Sequence, residues 1–151
     1  KAAGEKSRAM LLSGKSQLVD GGERGPSLAL AYFTGRDRAP NESWRSGATG
    51  AVAVVTAPLA GWLLHANLGV TAERHPSRNV TGWAVALERP AVAKGFDAGV
   101  EVFGDDRGNH WAQGAARWHV VPETLLLDAS RGRQTAGGRT DRLTVGLKWM
   151  F

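Results

Sequence analysis

The residues that could carry out chemistry do not form a recognised catalytic pattern. The chain has four histidines and 14 Asp and Glu residues but no cysteine, which excludes a disulfide framework, a Cys-based zinc site and a thiol nucleophile. It contains no HExxH, no Gly-x-Ser-x-Gly and no P-loop, because Ala9 stands where the first glycine of a P-loop ending at Lys15-Ser16 would lie. The polar side chains at 105–110 are typical of a loop tip more than of a cation site. We therefore predict no catalytic residue, no metal site, no cofactor and no enzymatic activity.

The charged residues instead recur at alternate positions, opposite apolar residues. In the segment 62–73 one phase is apolar throughout, whereas the other holds His65, Asn67 and Glu73. Period-two alternation is typical of β-strands with faces of different polarity. The polar phases of such segments supply candidate residues for the lining of a lumen: His65, Asn67, Glu73, Asp97, Glu101, Arg117, His119, Asp128 and Lys148. Asp97 and Glu101 share a face in one segment, as do Arg117 and His119 in the next, and we expect opposite charges that face one another across a lumen to pair.

The alternation predicts the elements that hold these residues. Eight segments are clear and a weaker ninth comes first: 8–20, 27–34, 50–57, 62–73, 80–88, 96–103, 111–120, 124–130 and 141–151. The stretch 46–72 has no charged residue and is long enough for a membrane helix, but Pro58 and Gly61 favour two strands joined by a turn. An array of strands at this spacing predicts a sandwich or a barrel.

The connections and the aromatic residues favour a membrane barrel. The segments 35–48, 74–79, 104–110 and 131–140 are polar and charged, and they alternate with less charged connections at 58–61, 89–95 and 121–123. Outer-membrane barrels have short turns on one rim, longer loops on the other and aromatic girdles at both. We expect Trp62, Phe96, Trp118, Trp149 and Phe151 near the periplasmic rim, and Tyr32, Phe33, Phe103 and Trp111 near the outer rim. Trp83 lies in mid-segment and does not fit either girdle.

The terminal segment LTVGLKWMF resembles the C-terminal signal of bacterial outer-membrane β-barrel proteins, which ends in an aromatic residue preceded by alternate hydrophobic residues. The matching residues are Leu143, Val145, Leu147, Trp149 and Phe151. The resemblance implies that the barrel-assembly machinery is a partner.

A second resemblance covers most of the chain. The segments 28–31, 62–70 (WLLHANLGV) and 122–133 (PETLLLDASRGR), followed by the terminal strand, are similar to the C-terminal part of the outer-membrane family of the meta-pathway of phenol degradation. That family implies a transporter or channel for hydrophobic compounds. The loop at 36–40 departs from the Pro-Thr-Gly segment usual in the family, and the family's N-terminal strands have no counterpart.

These observations predict an all-β, antiparallel, up-and-down transmembrane β-barrel as a single domain, 1–151, with a frayed leader at 1–8. Eight strands could close alone with 1–24 as a leader, whereas nine would make the chain part of a larger barrel. The start at Lys1 favours an N-terminally truncated chain.

The predicted function is a bacterial outer-membrane channel or transport component for small, hydrophobic compounds. Its expected partners are lipid, lipopolysaccharide and a small-molecule solute. The net charge of +5 comes from spread basic residues, so we expect no nucleic-acid partner; the arginines at 131, 133 and 139 are expected in a cationic outer loop against lipopolysaccharide. The alternatives are a soluble β-barrel that binds a small apolar ligand, a non-conducting membrane anchor, and a membrane-anchored barrel enzyme with its site in the outer loops.

Overall fold

A computed structural model describes residues 7–22, 24–40, 42–74 and 77–150 of the chain. Nine antiparallel strands follow one another in a single sheet, in the order in which they occur along the chain. Their bounds are β1 Arg8–Val19, β2 Ser27–Arg38, β3 Arg45–Leu59, β4 Trp62–Arg74, β5 Ser77–Ala93, β6 Phe96–Asp105, β7 His110–Val121, β8 Leu125–Ala136 and β9 Asp141–Trp149. The predicted all-β, up-and-down architecture is confirmed. Within these residues no helix is long and apolar enough to cross a membrane.

The ninth candidate segment is a strand, which removes the alternative of an eight-stranded barrel with a leader. β1 pairs with β2 from Arg8↔Arg38 to Val19↔Leu28, with one bulge. Of the frayed leader predicted at 1–8, residues 1–6 lie outside the described residues, and Arg8 already belongs to β1.

Several strands continue into segments that we expected to be loops. β8 runs to Ala136 although 131–140 was predicted as a loop, and only two residues separate β4 from β5. These predictions were wrong because ladder hydrogen bonds use backbone groups, so a hairpin can extend through polar and charged residues. The expected contrast between long loops on one rim and short turns on the other is correspondingly smaller.

The hairpins are staggered around the sheet. β3 continues past Thr56, the partner of Ser27, to Leu59 before the chain turns. β5 likewise continues past Glu88, the partner of Leu63, to Ala93, and β7 continues past Trp118, the partner of Phe96, to Val121. A steady shift of register in one direction is what tilts the strands of a barrel.

The sheet is curled into a half-barrel. Side chains from β3 (Val52) and β9 (Thr144) line the same cavity of about 510 Å³, although six strand spacings separate them, about 29 Å in a flat sheet. We call the face around this cavity the concave face and the opposite face the convex face. β1 and β9 are the two edges, and neither has a second strand partner among the described residues.

The half-barrel has almost no interior core. Ala29, 7% exposed, is the only hydrophobic side chain that the described residues bury, and they bury no charged side chain. A water-soluble domain of this length usually buries a contiguous apolar core. The sheet is therefore a single layer whose two faces are both accessible.

Candidate functional site

All nine residues predicted to face a lumen lie on the concave face. The register aligns His65 with Thr56 and Ala86, and it aligns Asp97 with Arg117 and Asp128. The remaining members follow by period two along the same strands. The structure thus places the nine residues on one face of one sheet, and their role in a lumen stays a prediction.

Arg117 is the centre of an ionic cluster close to the rim that carries the turns 60–61 and 94–95. Its Nη1 lies 3.2 Å from Oε1 of Glu88 and 3.8 Å from Oδ2 of Asp97. The same Asp97 oxygen is 2.7 Å from Nε2 of His119. Asp97 thus pairs with basic residues of the neighbouring strand β7, and not across a lumen. Its other oxygen accepts a hydrogen bond from the backbone N–H of Ala91.

The cluster continues onto β3 and β4 through His65. Nε2 of His65 is 3.6 Å from Oε2 of Glu88, and Nδ1 is 2.9 Å from the hydroxyl of Thr56. A chain of polar contacts therefore crosses five neighbouring strands, β3 to β7. We call Thr56, His65, Glu88, Asp97, Arg117 and His119 the rim cluster.

The middle of the concave face carries neutral hydrogen-bonding groups and one carboxylate. Asn67 and Glu101 both line the cavity of about 510 Å³ and a neighbouring one of about 320 Å³. Gln113 donates a hydrogen bond to Glu101, which forms no ion pair with any described cation. Oδ1 of Asn67 has no hydrogen-bond partner in the described part of the chain.

Two predicted residues lie away from these groups. Glu73 is at the opposite rim, where it pairs with Arg78 and lies 3.9 Å from Nη1 of Arg107. Lys148 is exposed opposite Leu126. Asp128 is the register partner of Arg117 and lines a cavity of about 70 Å³ with Glu88, Asp97 and Arg117, but it forms no ion pair with any described cation.

Glu88 is the functional residue that the sequence analysis missed. It contacts both Arg117 and His65, so it connects the two halves of the rim cluster. The signal was present, since Glu88 is in phase with Ala84 and Ala86 and out of phase with Trp83, Val85 and Leu87. Glu88 was not counted among the candidate residues because it is the last residue of the predicted segment 80–88.

The convex face is apolar and exposed. Leu12, Leu68, Val100 and Leu143 are 73%, 61%, 61% and 73% exposed. The strands for which alternation predicted an apolar phase place it on this face, including Leu143, Val145, Leu147 and Trp149 of the terminal segment, whereas β3, for which no phase was predicted, has Val52 and Val54 on the concave face. Phe151 lies outside the described residues.

One aromatic girdle is where the sequence predicted it, at the ends of strands on the convex face. The rings of Phe96 and Trp118 stack with centroids 5.6 Å apart, and Arg89 lies over the ring of Trp62 at 5.6 Å. Trp149 is also exposed there.

The second girdle was predicted wrongly in part. Phe103 and Trp111 stack on each other, 6.1 Å apart, but on the concave face, and Phe33 is in the concave phase as well. Tyr32 is on the convex face but in the middle of β2, paired with Ala51 in the middle of β3, and not near the outer rim. Trp83 is paired with Gly104, next to the end of β6.

No protein-family model, curated protein or solved structure matches the chain. The resemblance to the phenol-degradation family stays a prediction. Among residues 7–22, 24–40, 42–74 and 77–150, no group of three His, Asp or Glu side chains is placed to hold a metal ion. The arrangement of the two faces is therefore the main guide to function.

Proposed function

We propose that the chain forms part of the wall of a bacterial outer-membrane β-barrel, with lipid against the convex face and an aqueous channel for small solutes along the concave face. One observation carries the proposal: a single sheet layer that is apolar and exposed on one face and polar on the other, with almost no core. Contiguous exposed apolar surface of this extent is typical of membrane or protein contact. The girdle at one end of the strands supports membrane contact, since aromatic rings favour the lipid–water interface.

The polarity of the two faces argues against the soluble alternative. A soluble barrel that binds an apolar ligand needs an apolar interior and a polar exterior. Here the interior positions hold Asn67, Glu101, Gln113 and Arg117, whereas the exterior positions hold Leu, Val, Ala and Trp. In water this sheet would expose its apolar side chains and enclose its charges.

A closed barrel needs further strands to pair with the two edge strands, β1 and β9. Unpaired backbone groups are costly in hydrocarbon, so β1 and β9 both need partner strands in a bilayer. Because nine is odd, β1 and β9 run in the same direction, and closure with antiparallel pairs alone requires an odd number of further strands.

The solute we favour is polar or cationic and not strongly hydrophobic. Glu101, Asn67 and Gln113 line both concave cavities, of about 510 and 320 Å³, beside apolar residues that include Val52, Val54, Leu87 and Phe103. This refines the expectation of hydrophobic compounds that came from the family resemblance.

Membrane location is tested by fractionation and heat-modifiability. We expect the protein in the outer-membrane fraction, soluble only with detergent, and migrating differently on a gel before and after boiling. Solubility without detergent would contradict the proposal. Conductance in planar bilayers then tests the channel, and a correctly inserted barrel without conductance would favour the membrane anchor.

A further inference from the structure

Cations interrupt the apolar convex face at one place on β8. Leu125, Leu127 and Ala129 are followed in the same phase by Arg131 and Arg133, which therefore lie in a strand and not in the predicted loop. Both side chains are exposed, and neither forms an ion pair with any described carboxylate. Their register partners on β9 are Leu143 and Asp141.

A groove of about 510 Å³ lies beside the two arginines. Val100 and Val102 of β6 border it on one side, and Ala112 and Gly114 of β7 form its floor. Nothing lies within 4 Å of the position that a Cβ on Gly114 would occupy, so the floor opens into free space. The groove is therefore an apolar surface track over Ala112 and Gly114, and the guanidinium groups of Arg131 and Arg133 lie at its end.

We propose that this groove is a binding site for a lipid with an anionic, phosphate-bearing head group. Guanidinium groups bind phosphate oxygens through paired, charge-assisted hydrogen bonds, and an acyl chain would lie along the valines over Gly114. Asp141 beside Arg133 leaves one net positive charge among the convex side chains of the groove, which favours the head group near Arg131. Glu101 also borders the groove, but its side chain is in the concave phase, where it accepts a hydrogen bond from Gln113. Because this occupant is a bilayer component, the inference rests on the proposed membrane location.

The shape distinguishes a lipid from a free anion. Inorganic phosphate would use the two arginines alone, whereas a lipid also uses the track over Ala112 and Gly114. Removal of charge and filling of the groove should therefore each weaken lipid binding, although they change different parts of the site.

The test measures binding of dioleoyl phosphatidylglycerol and dioleoyl phosphatidylcholine to the protein in nonionic detergent, by native mass spectrometry. We expect phosphatidylglycerol to bind more tightly, and Arg131→Gln with Arg133→Gln to weaken it about twenty-fivefold, since each basic residue near a head group contributes about fivefold. Arg36→Gln is the matched control, because Arg36 is an exposed arginine on the convex phase of β2, and it should leave binding unchanged.

Gly114→Val is the second variant, because it fills the floor without meeting any neighbour and keeps both charges. We expect it to weaken phosphatidylglycerol binding about fivefold through lost contact with the acyl chain. Equal binding of the two lipids, or an unaffected Gly114→Val variant, would each overturn the lipid site.

Detergent dependence is measured on the same preparation. A protein that needs detergent but shows no lipid preference would contradict the lipid site alone. A protein that is soluble without detergent would contradict the proposed function, and the lipid site with it.

Discussion

At the scale of single residues, the rim cluster distributes charge among neighbouring strands. Arg117 is shared by Glu88 and Asp97, so it offsets two carboxylates that would otherwise repel each other. The side chains of Glu88 and Asp97 are 24% and 13% exposed, which makes the loss of their partner more costly than for a fully solvated pair.

We therefore predict that Arg117→Gln lowers the free energy of unfolding in detergent by about 1 kcal/mol, a value reduced for the partial exposure of the arginine. Urea unfolding followed by circular dichroism measures it. Lys148→Gln on the same face, which breaks no ion pair among the described residues, is the control. If both variants lose the same stability, the rim cluster has no special role.

Glu101 lines the proposed channel and does not belong to the rim cluster. It is a carboxylate on both large concave cavities, without a cation to offset it among the described residues. Carboxylates that line a pore favour cations. In planar bilayers with a salt gradient, we predict a reversal potential that indicates a preference for cations. Glu101→Gln should shift this potential towards zero, whereas the control Ser130→Ala should leave it unchanged. An unchanged potential in Glu101→Gln would show that the ions do not pass Glu101.

The faces of individual residues were largely predictable from the sequence. Alternation placed His65, Asp97 and Arg117 together, because the side-chain period of a strand is two. Alternation also put Phe103 in phase with Glu101, which the structure confirms, whereas its inclusion in an outer girdle rested only on its place near a segment end. The contacts of Glu88 with His65 and Arg117 depend on register between strands, which alternation within each strand does not give.

At the scale of elements, the turns carry backbone strain that substitutions can relieve. The two-residue turn between β3 and β4 has positive φ at both positions, 49° at Ala60 and 82° at Gly61. Such turns favour Asn-Gly, because asparagine tolerates the left-handed region better than alanine.

We predict that Ala60→Asn raises the free energy of unfolding by about 0.5–1 kcal/mol. Gly61→Ala should have the opposite effect, since a Cβ there would also meet the guanidinium of Arg89, whose Nη1 donates to the carbonyl of Gly61 at 2.8 Å. Thermal melts in detergent compare the two variants, and shifts of the same sign would contradict the turn geometry.

Strand positions were predictable and strand ends were not. Apolar alternation marks only the part of a strand whose face is apolar, whereas the ladder continues through Arg131, Arg133 and other charged residues. The stagger that pairs Trp83 with Gly104, next to the end of β6, is likewise a property of several strands together.

The terminal strand gives a prediction that rests on the sequence. If the terminal segment is an assembly signal, deletion of Phe151 should reduce the folded, heat-modifiable form in the outer membrane while leaving synthesis unchanged. Met150→Ala, one position earlier and in the opposite phase, is the control. Equal assembly of the deletion and the wild type would contradict the resemblance to the outer-membrane signal.

At the scale of the whole molecule, function follows from the difference between the two faces. With lipid on the convex side and water on the concave side, as we propose, a half-barrel without a core keeps its apolar face out of water and its charges out of hydrocarbon. The proposed channel, the lipid groove and the aromatic girdle all depend on that single assignment.

Accessibility along β4 tests this assignment most directly. The chain has no cysteine, so Leu68→Cys and Asn67→Cys each provide a unique site for a nitroxide label in reconstituted liposomes. We predict that the label at 68 is relaxed mainly by oxygen, which concentrates in lipid, and the label at 67 mainly by a water-soluble nickel complex, with the pattern alternating from 64 to 71. Labels at 67 and 68 that are both accessible to the nickel complex, or the reverse alternation, would contradict the account.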